Sequence, residues 1–239
     1  MPHISTFIKD VDDTDHDVGI KSSLFYNQLL PFELKAGSLD PFSDPPPDSS
    51  DRHQLSFCKE GNPERLARGQ IAGVFTEMFA CRFRTHAFSV FINHHNARFL
   101  RADRCGILVS EAFSYREKPE ILWDYLARYA QLTDPERGID TTVEFADADT
   151  TATTREQLEG KGYLSRIEPE DRERSGRWLT IKVPVPPDKD KDKDTWIVVT
   201  REPDRNPDSL ITRGTRTFPV YKLDSEEACF LKDGCAGSG

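Results

Sequence analysis

No run of 18 apolar residues occurs in the 239-residue chain, and no basic-then-apolar leader opens it, so neither a membrane span nor a secretory signal is expected. The five cysteines, at positions 58, 81, 105, 229 and 235, include no Cys-x-x-Cys pair. Odd in number and scattered, they fit reduced thiols better than disulfides or structural zinc. These absences describe an intracellular protein, cytoplasmic or nuclear, with no membrane partner. No local spacing suggests a Ser-His-Asp or Cys-His arrangement. His94 and His95 are adjacent, so their side chains point in different directions on a strand or tight turn. A polar hairpin turn is their expected role, and no metal ligand is assigned.

What is present is charge, unevenly placed. The net charge is −9, from 32 Lys and Arg against 41 Asp and Glu. Acids dominate residues 1–64, whereas residues 65–104 carry Arg65, Arg68, Arg82, Arg84, Arg98, Arg101 and Arg104 against Glu77 and Asp103. A cationic face for phosphates or for an acidic partner is one reading. The plainer one is that these arginines cap strands and pair with the acidic amino-terminal segment. Nucleic acid is not an expected partner.

Residues 1–19 are acidic and patternless and read as a frayed arm. Two short apolar runs, 24–26 and 30–35, read as strands, and the Pro- and Asp-rich stretch 36–62 as a long loop. A helix is expected from Asn62, with Pro63 in its first turn and Ile71, Val74, Phe75, Met78 and Phe79 along one face. Strands at 87–92, 97–101 and 107–111 form an antiparallel meander, with Asp103 and Arg104 in a salt-bridged turn. Pro119 opens a second helix expected to bury Ile121, Leu122, Trp123, Tyr125, Leu126 and Tyr129. The capping-box spacing of Thr133 and Glu136 predicts a short third helix. Strands at 178–183 and 196–200 are joined by a solvated loop of alternating Asp and Lys. The predicted organisation is a flexible arm at 1–19, an α+β domain at 20–145, a connecting hairpin region at 146–208 and a separate terminal piece at 209–239.

Glu33-Leu34-Lys35 is followed by a helix carrying Gln70 and then by further strands. This order resembles the restriction-endonuclease-like, PD-(D/E)XK core. That chemistry needs two carboxylates on a divalent metal and a lysine that positions the attacking water. Alternation along a strand puts Glu33 and Lys35 on one face, which supplies one carboxylate and the lysine. Where the resemblance would place a Pro-Asp pair the chain has Ser22-Ser23. A serine cannot hold the metal as an aspartate does, so the core is expected to be degenerate.

Residues 212–232, TRGTRTFPVYKLDSEEACFLK, have the layout of the start of a protein-kinase lobe. There a glycine-bearing turn between two strands covers ATP phosphates, and a third strand brings up a lysine. Arg213, Gly214 and Thr215 form the turn, Phe218 to Leu223 a second strand, and Lys232 ends a strand where Val-Ala-Ile-Lys would fall. Thr212 and Thr217 stand at the outer glycine positions and Pro219 at the valine, which makes close backbone approach to a phosphate poorer. Together with His86 to Val143, Arg68-Gly69-Gln70-Ile71-Ala72 and Arg84-Thr85-His86, this stretch closely resembles the fungal-type protein kinase family.

The resemblance implies an α+β fold: a mixed or antiparallel sheet with flanking helices, then an incomplete kinase N-lobe hairpin. It implies ATP with Mg as the cofactor of complete relatives, and a protein substrate or regulatory protein as their partner. Arg213, Gly214, Thr215 and Lys232 are then remnants of an ATP-phosphate site. No His-Arg-Asp and no Asp-Phe-Gly occurs in the 239 residues, so a catalytic base and a magnesium carboxylate are both missing. The expectation is a truncated fungal-type kinase, inactive alone and binding no nucleotide tightly. The alternative is a non-catalytic regulatory or interaction module on the degenerate nuclease-like fold.

Overall fold

The structure, a computed structural model, describes residues 4–7, 28–44, 56–81, 83–164, 178–185, 195–201 and 216–233. Among these, the residues up to Ile139 make one compact unit and those from Asp140 onward a second. Both are α+β. The expected strand at 24–26 lies outside the described residues.

The first unit is a five-stranded sheet of β1 (Ile4–Phe7), β2 (Gln28–Leu34), β3 (Ala87–Ile92), β4 (Ala97–Asp103) and β5 (Gly106–Val109), in that spatial order. β1 is antiparallel to β2, β2 is parallel to β3, and β3, β4 and β5 form the predicted antiparallel meander. A parallel pair needs a long crossover, and α1 (Asn62–Cys81) lies within it. β1 places residues 4–7, within the stretch read as a patternless arm, in this sheet, and residues 8–19 lie outside the described residues. Ile4 stands opposite Phe32, so residues 4–7 owe their structure to backbone pairing along β2 rather than to their own pattern.

Both faces of this sheet are covered, which is why β3 reads Ala-Phe-Ser-Val-Phe-Ile almost without polar alternation. On one face Ile71, Phe75, Met78 and Phe79 of α1 pack on Ala87, Phe91, Leu100 and Ala102. On the other, α2 (Pro119–Gln131) sets Leu122, Tyr125, Leu126 and Tyr129 against Leu30, Phe88, Val90 and Phe99. Tyr129 donates from its hydroxyl to the Leu29 carbonyl at 2.7 Å, and the Tyr125 ring stacks on Phe99 with centroids 3.9 Å apart. Trp123 is not in this core. It is 70 % exposed, because one helical step of about 100° from Leu122 turns it off the inward stripe.

The third helix expected at Thr133 does not form. Glu136 does accept from the Thr133 backbone N–H at 2.8 Å and from its hydroxyl at 2.7 Å. The chain then closes as a turn, with Gly138 donating to the Pro135 carbonyl and adopting φ +85°. The cap is made, but Gly138 in the left-handed region ends the helical path within one turn.

The second unit is a fully antiparallel sheet in the order β10-β9-β8-β7-β6. Its strands are β6 (Val143–Phe145), β7 (Trp178–Pro184), β8 (Thr195–Arg201), β9 (Arg216–Lys222) and β10 (Glu227–Asp233). A helix, α3 (Ala148–Gly160), packs on it through Leu158, which joins Leu164, Trp178, Val199 and Tyr221 in one buried cluster. Neither β6 nor α3 was expected from the sequence. Asp147 starts α3 by accepting from the Thr150 backbone N–H at 2.7 Å and from its hydroxyl at 2.8 Å.

Thr154 of α3 is fully buried, and its hydroxyl has no hydrogen-bond partner among the described residues. A buried hydroxyl without a partner is destabilising, and valine has nearly the same shape and helix propensity. Thr154→Val is therefore expected to stabilise the second unit by about 1 kcal/mol, read as a higher urea midpoint. A lower midpoint would show that the hydroxyl has a partner in solution.

Candidate functional site

In the first unit, β2 and the residue that follows it carry Glu33 and Lys35 to the face beneath α1. Glu33 pairs in register with Phe91, and Phe91 with Arg98, so a carboxylate, a ring and a guanidinium lie side by side on three strands. Glu33 is 3 % and Lys35 7 % exposed. The Lys35 ammonium lies 2.5 Å from Glu33 Oε1 and donates to Gln70 Oε1 on α1. The Lys35 backbone N–H donates to the Ile92 carbonyl at 2.9 Å, which ties this end of β2 to β3. The three residues singled out from the sequence, Glu33, Lys35 and Gln70, thus meet at one place.

Chemically the group is one carboxylate neutralised by one ammonium. Among the described residues no cluster of three His, Cys, Asp or Glu could hold a metal ion. Ser22 and Ser23 lie outside the described residues.

Next to this group lies an ion cluster that bears out, for Arg98, the expected pairing of arginines with the acidic amino-terminal segment. Arg98 is 2 % exposed. It donates from Nε to Asp40 at 3.0 and 3.1 Å, from Nη2 to Asp40 at 2.9 Å, and from Nη1 to Asp44 at 2.6 Å. Its Nη1 also donates to the Ser110 carbonyl at 2.9 Å, and Asp44 accepts from the Ala112 backbone N–H at 3.0 Å. The loop is held further by Arg68, which donates to the Pro41 and Lys59 carbonyls, and by Phe42 in the α1 core. Burial alone would push the Asp44 carboxyl up. The Arg98 and Ala112 hydrogen bonds and the charges of Arg98 and Lys59 outweigh it and hold the group below its ordinary range. The available signal was an arginine on an apolar strand, Ala-Arg-Phe-Leu, with two aspartates four residues apart in a loop.

In the second unit, β9 and β10 form a hairpin through residues 223–226 with unbroken register. Phe230 stands opposite Pro219 and Lys232 opposite Thr217. Lys232 is exposed at the end of β10. β8 pairs with β9, Val199 opposite Tyr221, so β8, β9 and β10 run as one meander. On the other face of β9 the Lys222 ammonium lies 3.8 Å from the Trp196 ring centroid, a cation–π contact. Burial and the nearby Glu227 push the Cys229 thiol up against the pull of Lys222, leaving a protonated, weakly nucleophilic thiol. Arg213, Gly214 and Thr215 lie outside the described residues.

The two units thus define a two-part α+β protein whose second sheet closes on a hairpin that presents a lysine. A family model described as "Fungal protein kinase" matches residues 59–235, most of the chain, and the chain belongs to that family. No curated protein and no solved structure matches it. The matched span includes Gln70 and Lys232, whereas Glu33 and Lys35 precede it. Among the described residues no helix is long and apolar enough to cross a membrane.

Proposed function

We propose that β8, β9 and β10 are the nucleotide-covering start of a protein-kinase lobe, with Lys232 directed at nucleotide phosphates. The observation that carries this reading is the antiparallel meander ending in exposed Lys232, inside the matched family span. In such a lobe the third strand brings a lysine onto the phosphates of ATP with Mg. Arg213, Gly214 and Thr215 are the candidates for the covering turn. These 239 residues hold no His-Arg-Asp and no Asp-Phe-Gly, so they supply neither a base for a protein hydroxyl nor a carboxylate for magnesium. Phosphoryl transfer to a protein substrate is accordingly not assigned to these residues, and nucleotide binding here is weak.

The first unit favours a second, non-catalytic reading. The convergence of Glu33, Lys35 and Gln70 beneath α1, on a strand parallel to β3, supports a degenerate nuclease-like core. With Lys35 engaged by Glu33, the group acts as an internal brace, and the unit serves as a regulatory or interaction module.

Both readings are tested with labelled ATP, Mg and a general protein substrate. No phosphate incorporation is expected, and Lys232→Met should weaken ATP binding about tenfold, the effect of losing one charge-assisted contact. Incorporation by the unsubstituted chain would overturn the non-catalytic reading. Unchanged ATP affinity in the variant would remove Lys232 from the site.

A further inference from the structure

β5 closes one edge of the first sheet, and among the described residues no strand lies beyond it. Ser110 donates its N–H to the Phe99 carbonyl at 2.9 Å. Inter-strand bonding alternates along an antiparallel pair, so Leu108 also turns its backbone groups to β4, while Ile107 and Val109 turn theirs outward. The outer edge thus offers N–H donors and carbonyl acceptors on a strand, Gly106–Val109, that contains no charge and no proline. Charge and proline are common means of blunting an edge. The side chains of Ile107 and Val109 pack against the α1 core, whereas Leu108, opposite Arg101 on β4, is 67 % exposed and points to the other face by alternation. The two ends of the edge differ in charge. Arg104 precedes β5, with its guanidinium over the Phe79 ring, and exposed Glu111 follows it. Asp103, at the same end as Arg104, is already engaged by Arg101 at 3.3 Å.

We propose that β5 pairs with β5 of a second copy of this chain, antiparallel about a two-fold axis through Leu108. In that register Ile107 of each protomer stands opposite Val109 of the other, so the outward N–H and C=O groups of both strands bond across the axis. The two Leu108 side chains meet at a non-hydrogen-bonded position, where Cα atoms lie about 4.5 Å apart, and each covers the other. Glu111 comes opposite Cys105 and next to Arg104 of the other protomer, so opposite charges meet at both ends of the contact. A parallel pairing in register would instead set Arg104 beside Arg104 and Glu111 beside Glu111. The shared edge is short, which places it among interfaces burying less than about 1,200 Å² and makes the dimer a weak one.

Sedimentation of the whole chain at rising concentration tests this, with amide exchange measured at the dilute and concentrated ends. A monomer that gives way to a dimer is expected. Exchange at Ile107 and Val109 should slow as the dimer forms, while exchange at Leu108, bonded to β4 throughout, should change little. Leu108→Lys sets like charges face to face and should weaken the dimer at least about tenfold without lowering the monomer's urea midpoint. Glu111→Arg and Arg104→Glu should each weaken it alone. Mixing these two variants should restore association, because each end of the mixed pair again brings Arg against Glu. A chain that stays monomeric at every concentration would overturn the pairing. So would a dimer whose Ile107 and Val109 amides exchange as in the monomer, or one that Leu108→Lys leaves as tight as before. Protection of Ile107 and Val109 without a change in mass would put another segment of the same chain on this edge and would overturn it as well.

Discussion

Arg98→Met is expected to destabilise the first unit by about 3–5 kcal/mol, because it leaves two carboxylates facing a low-dielectric interior without their cation. Asp40 is only 11 % and Asp44 31 % exposed at the side chain, so water cannot fully replace the guanidinium. The loss should appear as faster amide exchange in β3 and β4 and as a lower urea midpoint. The variant also carries a pH signature. The Asp44 carboxyl is held below its ordinary value of 3.8 in the folded chain. A depressed carboxylate contributes stability that is fully present above the unfolded pKa and is lost as pH falls through the folded one. The unsubstituted protein should therefore lose this contribution on acidification below about pH 4, and Arg98→Met should show a shallower loss over the same range. A midpoint equal to that of the unsubstituted protein would mean that the ion cluster contributes nothing net. The double replacement of Asp40 and Asp44 by Asn in the Arg98→Met background should recover part of the loss, since it removes the stranded charges.

The second large effect is expected at Gly138. Its φ is +85°, and a methyl group there would sit 1.9 Å from the His86 carbonyl oxygen. The neighbouring backbone is committed: Thr85 donates its N–H to the Gly138 carbonyl at 2.9 Å, and His86 Nε2 lies 3.0 Å from the Glu136 carbonyl oxygen. The turn at 134–138 cannot retreat without breaking these contacts. Left-handed strain and overpacking each contribute about 1–3 kcal/mol, so Gly138→Ala should lose roughly 2–6 kcal/mol and lower the thermal midpoint of the first unit. Gly37→Ala provides the comparison. Gly37 has φ +69° with nothing near a built Cβ, so the strain acts alone there and a loss of about 1 kcal/mol is expected. Equal losses at the two positions would mean that the turn moves away from His86 and that only backbone conformation matters.

The elements legible in the sequence were those whose packing imposes a clear period. α1 shows a stripe from Ile71 to Phe79, β3 to β5 form compact runs between polar turns, and α2 begins at a proline that suits a first helical turn. α3 escaped because its core contact is narrow. In Ala-Asp-Thr-Thr-Ala-Thr-Thr-Arg-Glu-Gln-Leu-Glu-Gly only Thr154 and Leu158 are buried, and a buried threonine is invisible to an apolar periodicity. Its one legible mark was the Asp147 cap with Thr150 three residues on. Trp123 shows the opposite failure, since size and apolarity were taken for burial although its helical phase points outward.

The meeting of Glu33 and Lys35 followed from strand alternation, and Gln70 from its place on the covering helix. For Arg98 the charge distribution pointed to the acidic amino-terminal segment, but not to a buried cluster or to its particular partners. A charge reaches the interior only where partners from distant sequence neutralise it, and Asp40 and Asp44 precede it by more than fifty residues. The contact of Phe230 with Tyr163 depended on the chain path just after α3, a helix not expected from the sequence.

The parallel pairing of β2 with β3 bears on where a folding unit starts. The family match opens at Lys59, between the Asp40–Asp44 loop and α1, and so cuts through a single packed layer. The span that the family model matches and the span that packs as one unit are here different lengths of chain. A fragment trimmed to the recognisable stretch would turn β3 into a raw margin of the sheet, with its inward phenylalanines beside solvent. It would also strip Arg98 of both carboxylates and leave it the Ser110 carbonyl. The residues ahead of the matched span act as a built-in companion chain, donating two strands and two counter-charges to the first unit.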